Sequence, residues 1–272
     1  MFPYIYIGEK AIPVYMICSV IGAAALFAAS LVFAKRRGTI PPADIIYMLI
    51  YGGIGCLIGA KLLYVIVTVA SADVTPFAGK SFRETVSCLL TLFAFSGLVF
   101  YGGLIGAALG VLRYCKRFGL PAEEAFETIA PAVPLFHFFG RIGCFAAGCC
   151  YGKEYDGVFS VTFENATGAP NGIPLMPVQL FEAAGNLLLF LILTALLRKN
   201  DPRLSLSGLY LICYASMRFI LEFFRGDEIR GRVLFFSVSQ WISLAVLAAG
   251  TAAAVNAVNK YRGRNKLTAR NS

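Results

Sequence analysis

Seven long apolar runs, separated by short polar or basic connections, set the pattern of this chain. They cover residues 11–34, 44–70, 87–112, 127–150, 177–197, 206–225 and 234–256. Each is close to the ~20 residues a helix needs to cross the hydrocarbon core of a bilayer. The pattern therefore predicts seven transmembrane helices. The third run reads as a short re-entrant piece followed by a spanning helix through YGGLIGAALG. The longest polar connection is 152–176, and a basic tail occupies 258–272. The whole chain, 1–272, reads as a single integral membrane domain of the all-α class. No positively charged segment precedes the first apolar run, so no cleaved signal peptide is expected.

Composition agrees with a polytopic membrane protein. Hydrophobic residues make up 58% of the chain against 14% charged, and the mean hydropathy of +0.72 lies well outside the soluble range. The net charge of +9 raises the question of nucleic acid. The basic residues sit at the ends of apolar runs and not on one surface, so contact with anionic lipid head groups is the better reading. Their distribution sets the orientation. Lys35, Arg36, Arg37, Arg113, Lys116, Arg117, Arg198, Lys199, Arg203, Lys260, Arg262, Arg264, Lys266 and Arg270 fall on one side, fourteen in all. Lys10, Lys80, Arg83, Lys153, Arg225, Arg230 and Arg232 fall on the other, which is seven. The richer side is assigned to the cytoplasm. The N-terminus is then outside, the C-terminus inside, and the 152–176 loop extracytoplasmic.

Three basic residues lie within the runs: Lys61, Arg141 and Arg218. A charge at a helix centre costs roughly 2.5–3.5 kcal/mol on insertion scales, or about 8–10 kcal/mol for three. Glu182 and Glu222 are the intramembrane acids available to offset it. Positive charge is expected to be left over, which points to an anionic ligand or a wet cavity. Two stretches concentrate this chemistry. In PAVPLFHFFGRIGCFAAGCCYG, residues 131–152, about 100° per residue places His137, Arg141, Cys144 and Gly148 on one narrow stripe. In YASMRFILEFFR, residues 214–225, Tyr214, Arg218, Glu222 and Arg225 form a second stripe. There Glu222 is spaced to orient both arginines, whose planar forks suit phosphate. A salt-bridge ladder that only holds helices together is the alternative. Gln179 and Glu182 open the fifth run behind Pro177, and Glu182 reads equally as an arginine's partner.

Gly140, Gly143 and Ala147 should let another helix pack closely. YGGIG at 51–55 and YGGLIG at 101–106 look alike and hint at an internal repeat. Neither continues into the Gly-Lys-Ser/Thr ending of a phosphate-binding loop. Cys18, Cys56, Cys88 and Cys213 lie inside apolar runs, where cysteine behaves as a small hydrophobe. Cys149 and Cys150 fall at the outer end, where oxidation is possible, yet neighbours in sequence are strained as a disulfide. Cys144, Cys149 and His137 do not have zinc-site spacing, and on a continuing helix 144 and 149 face different ways. No metal or cofactor is expected.

Three motifs together carry a family resemblance: GRIG-x-F-x-x-G-x-x-x-G at 140–152, P-x-Q-L-x-E-A at 177–183 and Y-x-x-x-R-F-x-x-E-F-x-R at 214–225. In order, spacing and span number the chain resembles the bacterial prolipoprotein diacylglyceryl transferases over nearly its whole length. That resemblance implies transfer of the diacylglyceryl group of phosphatidylglycerol to the lipobox cysteine thiol of prolipoproteins, in the bacterial plasma membrane. It implies that Arg141 and Arg218 hold the lipid phosphate while Tyr214, Glu222 and Arg225 complete the site. Tyr15, in IPVYM, matches the family's early tyrosine, and Gly152 and Glu182 come from the same motifs. Buried arginines can stabilise a leaving phosphate without a metal, and the thiol must become a thiolate. The family's histidine before the paired glycines is here Tyr101, its GRIGN asparagine is Cys144, and the acid of its NGE is Cys149. His137, one turn before Arg141, becomes the candidate base, with the Tyr101 hydroxyl as the other choice. The competing function is a divergent relative that binds phospholipid, or uses its cysteines for acyl or redox chemistry. A transporter is a further alternative, resting on the repeat and the buried charges.

Overall fold

A computed structural model describes residues 2–71, 81, 83–85, 87, 88, 93, 100–199, 201–227 and 232–271. The chain opens on a hairpin that the apolar pattern hides. β1 (Tyr4–Ile7) pairs antiparallel with β2 (Lys10–Pro13) around Gly8, whose φ of 62° suits the turn. The first helix, α1 (Val14–Arg37), therefore starts three residues later than expected from the run at 11–34. It ends with Lys35, Arg36 and Arg37 in its last turn and Gly38 beyond, at φ 65°.

It is followed by the fully described helices α2 (Pro42–Ser71), α3 (Phe100–Phe118), α4 (Ala122–Ile129), α5 (Val133–Ala147), α6 (Val178–Lys199), α7 (Leu206–Glu222) and α8 (Val238–Asn271). A single 3-10 turn, Ala130–Ala132, joins α4 to α5 where Pro131 and Pro134 interrupt the ladder. Among the described residues, five stretches are long and apolar enough to cross a membrane: Val14–Arg37, Pro42–Ile66, Ala122–Ala147, Val178–Lys199 and Val238–Gly263. This is a multi-pass, mostly helical membrane protein. The sixth expected span is α7, which at 17 residues stops at Glu222 and not at Arg225. Most of 87–99, including the expected re-entrant piece, lies outside the described residues. α8 continues through the basic stretch to Asn271.

The chain divides into two compact units, Ala34–Ala125 and the pair Met1–Phe33 with Phe126–Ser272. In the first unit α2 and α3 pack through their glycines. A Cβ on Gly55 would meet the Gly106 carbonyl, and one on Gly59 would meet that of Gly102. The two similar YGG stretches thus lie against each other as a close helix pair. Lys61 is also accounted for here, donating to the Phe93 carbonyl at 3.0 Å.

The second unit holds both arginine stretches. Phe33, Ala132, Leu189, Leu193, Leu197, Leu206 and Tyr210 form its main core, near the helix ends that carry basic clusters. Buried Glu127 caps the start of α7, accepting from Ser205 Oγ at 2.7 Å and from the Leu206 amide at 2.6 Å. The 152–176 loop is a small folded cap and not an open connection. β3 (Val161–Thr162) pairs with β4 (Pro174–Leu175), and Phe163, Ala169 and Leu175 make an apolar cluster beneath them. A last hairpin, β5 (Arg232–Val233) with β6 (Phe236–Ser237), occupies the start of the run expected as the seventh span.

Candidate functional site

Glu182 is the meeting point of the two stretches. It sits in the first turns of α6, 2% exposed. One oxygen lies 2.9 Å from Arg141 Nη2 of α5, and the other lies 3.8 Å from Arg218 Nη1 of α7. Three helices from distant parts of the sequence thus converge on one carboxylate. Arg218 Nη2 also lies 2.7 Å from Glu222 Oε2 one turn along α7. Ser237 of β6 donates to the other Glu222 oxygen at 3.0 Å.

Arg225 departs from the expected stripe. It lies beyond α7, 4.0 Å from Glu222 through Nε. Its close partner is Asp227, which accepts from Nε at 2.8 Å and from Nη2 at 2.6 Å in a fork-to-fork pair. Asp227 was missed in the sequence because the helical spacing rule was carried past the end of the helix. It also changes the charge balance. Among the described residues Arg141, Arg218 and Arg225 stand against Glu182, Glu222 and Asp227, and Lys61 lies in the other unit. The surplus positive charge expected from the sequence is absent from this cluster.

Accessibility separates the arginines. The Arg141 side chain is 18% exposed, against 6% for Arg218 and 4% for Arg225. Each guanidinium has five N–H donors, so one carboxylate contact leaves Arg141 most of its capacity toward the accessible side.

His137 lies one turn before Arg141, as expected. Its ring centroid is 4.8 Å from that of Tyr214, and it interacts with Asn186 and Glu182. Asn186 is fully buried one turn along α6, with Nδ2 donating to the Glu182 carbonyl at 2.8 Å. It is a second residue the sequence reading passed over. Its only prior signal is a polar group one turn after Glu182 in an apolar helix. Tyr214 also interacts with Arg141. Tyr15 of α1 joins the group: a Cβ on Gly143 would lie 3.1 Å from its Cα, and its phenol interacts with Arg141 and Cys144.

Gly152 has a backbone role. It bridges to Arg225, its amide bonds the Met176 carbonyl at 3.1 Å, and a Cβ would strike that same oxygen. The Tyr101 side chain lies outside the described residues.

The cysteines are arranged differently from expectation. All eight are free thiols. Gly148, at φ 67°, ends α5 and turns the chain back, so 149 and 150 do not continue the helix. The sulfurs of Cys144, Cys149 and Cys150 lie within 4.8 Å of one another. Cys144 and Cys149 therefore face each other and not apart, because the helix is shorter than the apolar run. Hydrogen bonds with the Cys144 and Cys149 thiols, with Arg225 and Arg141 nearby, hold the Cys150 thiol below the usual range, whereas hydrogen bonds with Cys144 and Cys150, together with burial, push Cys149 up.

With this geometry in view, the comparisons with known proteins are decisive. The family model described as "Prolipoprotein diacylglyceryl transferase" matches residues 3–256. The chain belongs to this family. A Clostridium tetani phosphatidylglycerol–prolipoprotein diacylglyceryl transferase is 37% identical over 217 residues, covering 80% of this chain and 82% of the relative. A Clostridium perfringens protein named as transferase 2 of the same activity is 33% identical, covering 77% of each chain. A Methylococcus capsulatus relative of the same name is 30% identical, over 87% of this chain and 85% of its own. The family match runs from the first hairpin into α8, so it takes in both units and every residue of the Glu182 cluster.

Proposed function

We propose that this chain is a phosphatidylglycerol–prolipoprotein diacylglyceryl transferase of the bacterial plasma membrane, acting at the first step of lipoprotein maturation. The lipobox cysteine sulfur attacks the glyceryl carbon that bears the phosphate ester. The carbon–sulfur bond forms, the carbon–oxygen bond breaks, and glycerol phosphate leaves with the electron pair. The thiol proton passes to a base. The observation that carries the site assignment is the convergence of Arg141 and Arg218 on Glu182 at 2.9 and 3.8 Å.

In this reading Arg141, the most accessible of the three arginines, meets the phosphodiester and stabilises the charge that develops as it leaves. Arg218, held between Glu182 and Glu222, fixes the carboxylate that aims Arg141 and adds positive field from behind. Tyr214 and Tyr15 line the approach, and the Asp227-bound Arg225 faces the same group from the outer side. His137 accepts the thiol proton, directly or through the Tyr214 hydroxyl packed on it. The seven-span count and the outward N-terminus belong to the same proposal, supported by the fourteen-to-seven division of basic residues. They place the cluster near the outer leaflet, where a lipid donor and an exported peptide can both reach it.

The balance of three arginines and three carboxylates favours a second reading for Arg218 and Arg225, as a ladder that only holds helices together. Complementation of cells depleted of their transferase tests the proposed activity, and arginine variants of the same chain separate the two readings. Lipidation of a reporter prolipoprotein by the wild-type chain supports the proposal. Absence of thioether product from well-expressed protein overturns it. A product formed from another phospholipid alone would move the donor assignment away from phosphatidylglycerol.

A further inference from the structure

We propose that Cys144, Cys149 and Cys150 form a three-thiolate site for one soft, zinc-class metal ion at the outer end of α5. Their sulfurs already lie within 4.8 Å of one another. Zinc–sulfur bonds of about 2.3 Å require sulfur separations of about 3.8–4.0 Å. The sulfurs therefore need to approach one another by no more than about 1 Å.

The backbone is built to present them. Cys144 is in the last turn of α5 and buried. Gly148 reverses the chain, and the Cys149 amide then bonds the Cys144 carbonyl at 3.0 Å. The turn is pinned from two further directions. Gln179 Nε2 donates to the Cys149 carbonyl at 2.8 Å, and the Ala169 amide bonds the Gly148 carbonyl at 2.8 Å. Cys150 holds φ at 57°, a left-handed value at which glycine or asparagine is the easier residue. The chain keeps a thiol there at a conformational cost, and the thiol points into the group.

Donor chemistry selects the ion class. Three thiolates and no carboxylate or imidazole in the group favour soft d10 ions over magnesium or calcium. A dication with three thiolates carries one net negative charge. Arg225 and Arg141 both interact with Cys150, so that charge has guanidiniums beside it. With three sulfur donors the fourth position stays open to water or a small ligand. The site lies between α5 and the Gly152–Arg225 bridge. A bound ion would therefore fix the turn that connects Arg141 to the outer loop.

The test uses full-length protein in detergent, reduced and stripped with a chelator, then titrated with cadmium as the spectroscopic probe. The sulfur-to-cadmium charge-transfer band should saturate at one equivalent. Cys144→Ser, Cys149→Ser and Cys150→Ser should each weaken binding at least tenfold, while Cys213→Ser titrates like wild type. In wild-type protein alone, zinc should slow alkylation of the peptide carrying the three cysteines at least tenfold, read by mass spectrometry. This second readout does not depend on the variants folding. A band that never saturates, a triple Ser variant that binds as tightly, or a disulfide among the three in freshly purified protein would overturn the proposal.

Discussion

Among the described residues Arg141 has one carboxylate partner, whereas Arg218 has two. That difference sets what substitutions should do. Arg141→Ala should lower thioether formation by at least a hundredfold with a smaller loss of folded protein than Arg218→Ala, because Glu182 keeps Arg218 at 3.8 Å while Glu222 is untouched. Arg141→Lys should recover little, since a single ammonium cannot reproduce a two-pronged grip on phosphate. Arg218→Ala should also abolish product, but with a clear drop in melting temperature, because it strands Glu182 and Glu222 in a buried setting. Reporter lipidation together with a detergent melting curve checks both. An active Arg218→Ala enzyme would reduce that residue to scaffolding. His137→Ala should lose turnover while retaining lipid binding; full activity would remove His137 from the proton path. Arginines and acids inside apolar runs were visible in the sequence for a physical reason: charge in lipid is costly and stands out. Asp227 and Asn186 were not. One lies past the helix end that the apolar run conceals, and the other is an uncharged group that needs its neighbours to give it meaning.

Secondary-structure elements were legible where burial in lipid alone decides them. The spans at 11–34, 44–70 and 177–197 correspond closely to α1, α2 and α6. Their ends were less legible, because hydropathy does not register Gly148, the hairpin at residues 4–13 or the helical form of the tail. Two elements carry their own predictions. Glu127 caps α7 from another helix, so Glu127→Ala should destabilise the folded protein by about 1.5–3 kcal/mol, the range for a lost charge-assisted hydrogen bond. A thermal melt in detergent checks it, and an unchanged melt would show that water replaces the carboxylate. In the α2–α3 pair, Gly106 meets the backbone of Gly55 with no room for a side chain. Gly106→Leu should then cost about 3 kcal/mol by forced separation, read as reduced accumulation in the membrane. Gly53, with open space where its Cβ would stand, is the control: Gly53→Ala should accumulate like wild type.

At the scale of the whole molecule, the 152–176 loop is joined to a distant part of the chain. The Gly152 amide bonds the Met176 carbonyl at 3.1 Å, Lys153 bonds Phe224 at 2.9 Å, and Gly226 bonds Tyr151 at 3.1 Å. Tyr155 bonds Pro174 at 3.0 Å. These stitches, and the Arg141–Glu182 pair, all cross the exposed tip at Val158 and Phe159. Peptide continuity at that tip is therefore not what holds the two sides together. Residues 1–157 and 158–272, made as separate polypeptides in one cell, should find each other and reconstitute an assembly that co-purifies, with Arg141 on one fragment and its carboxylate on the other.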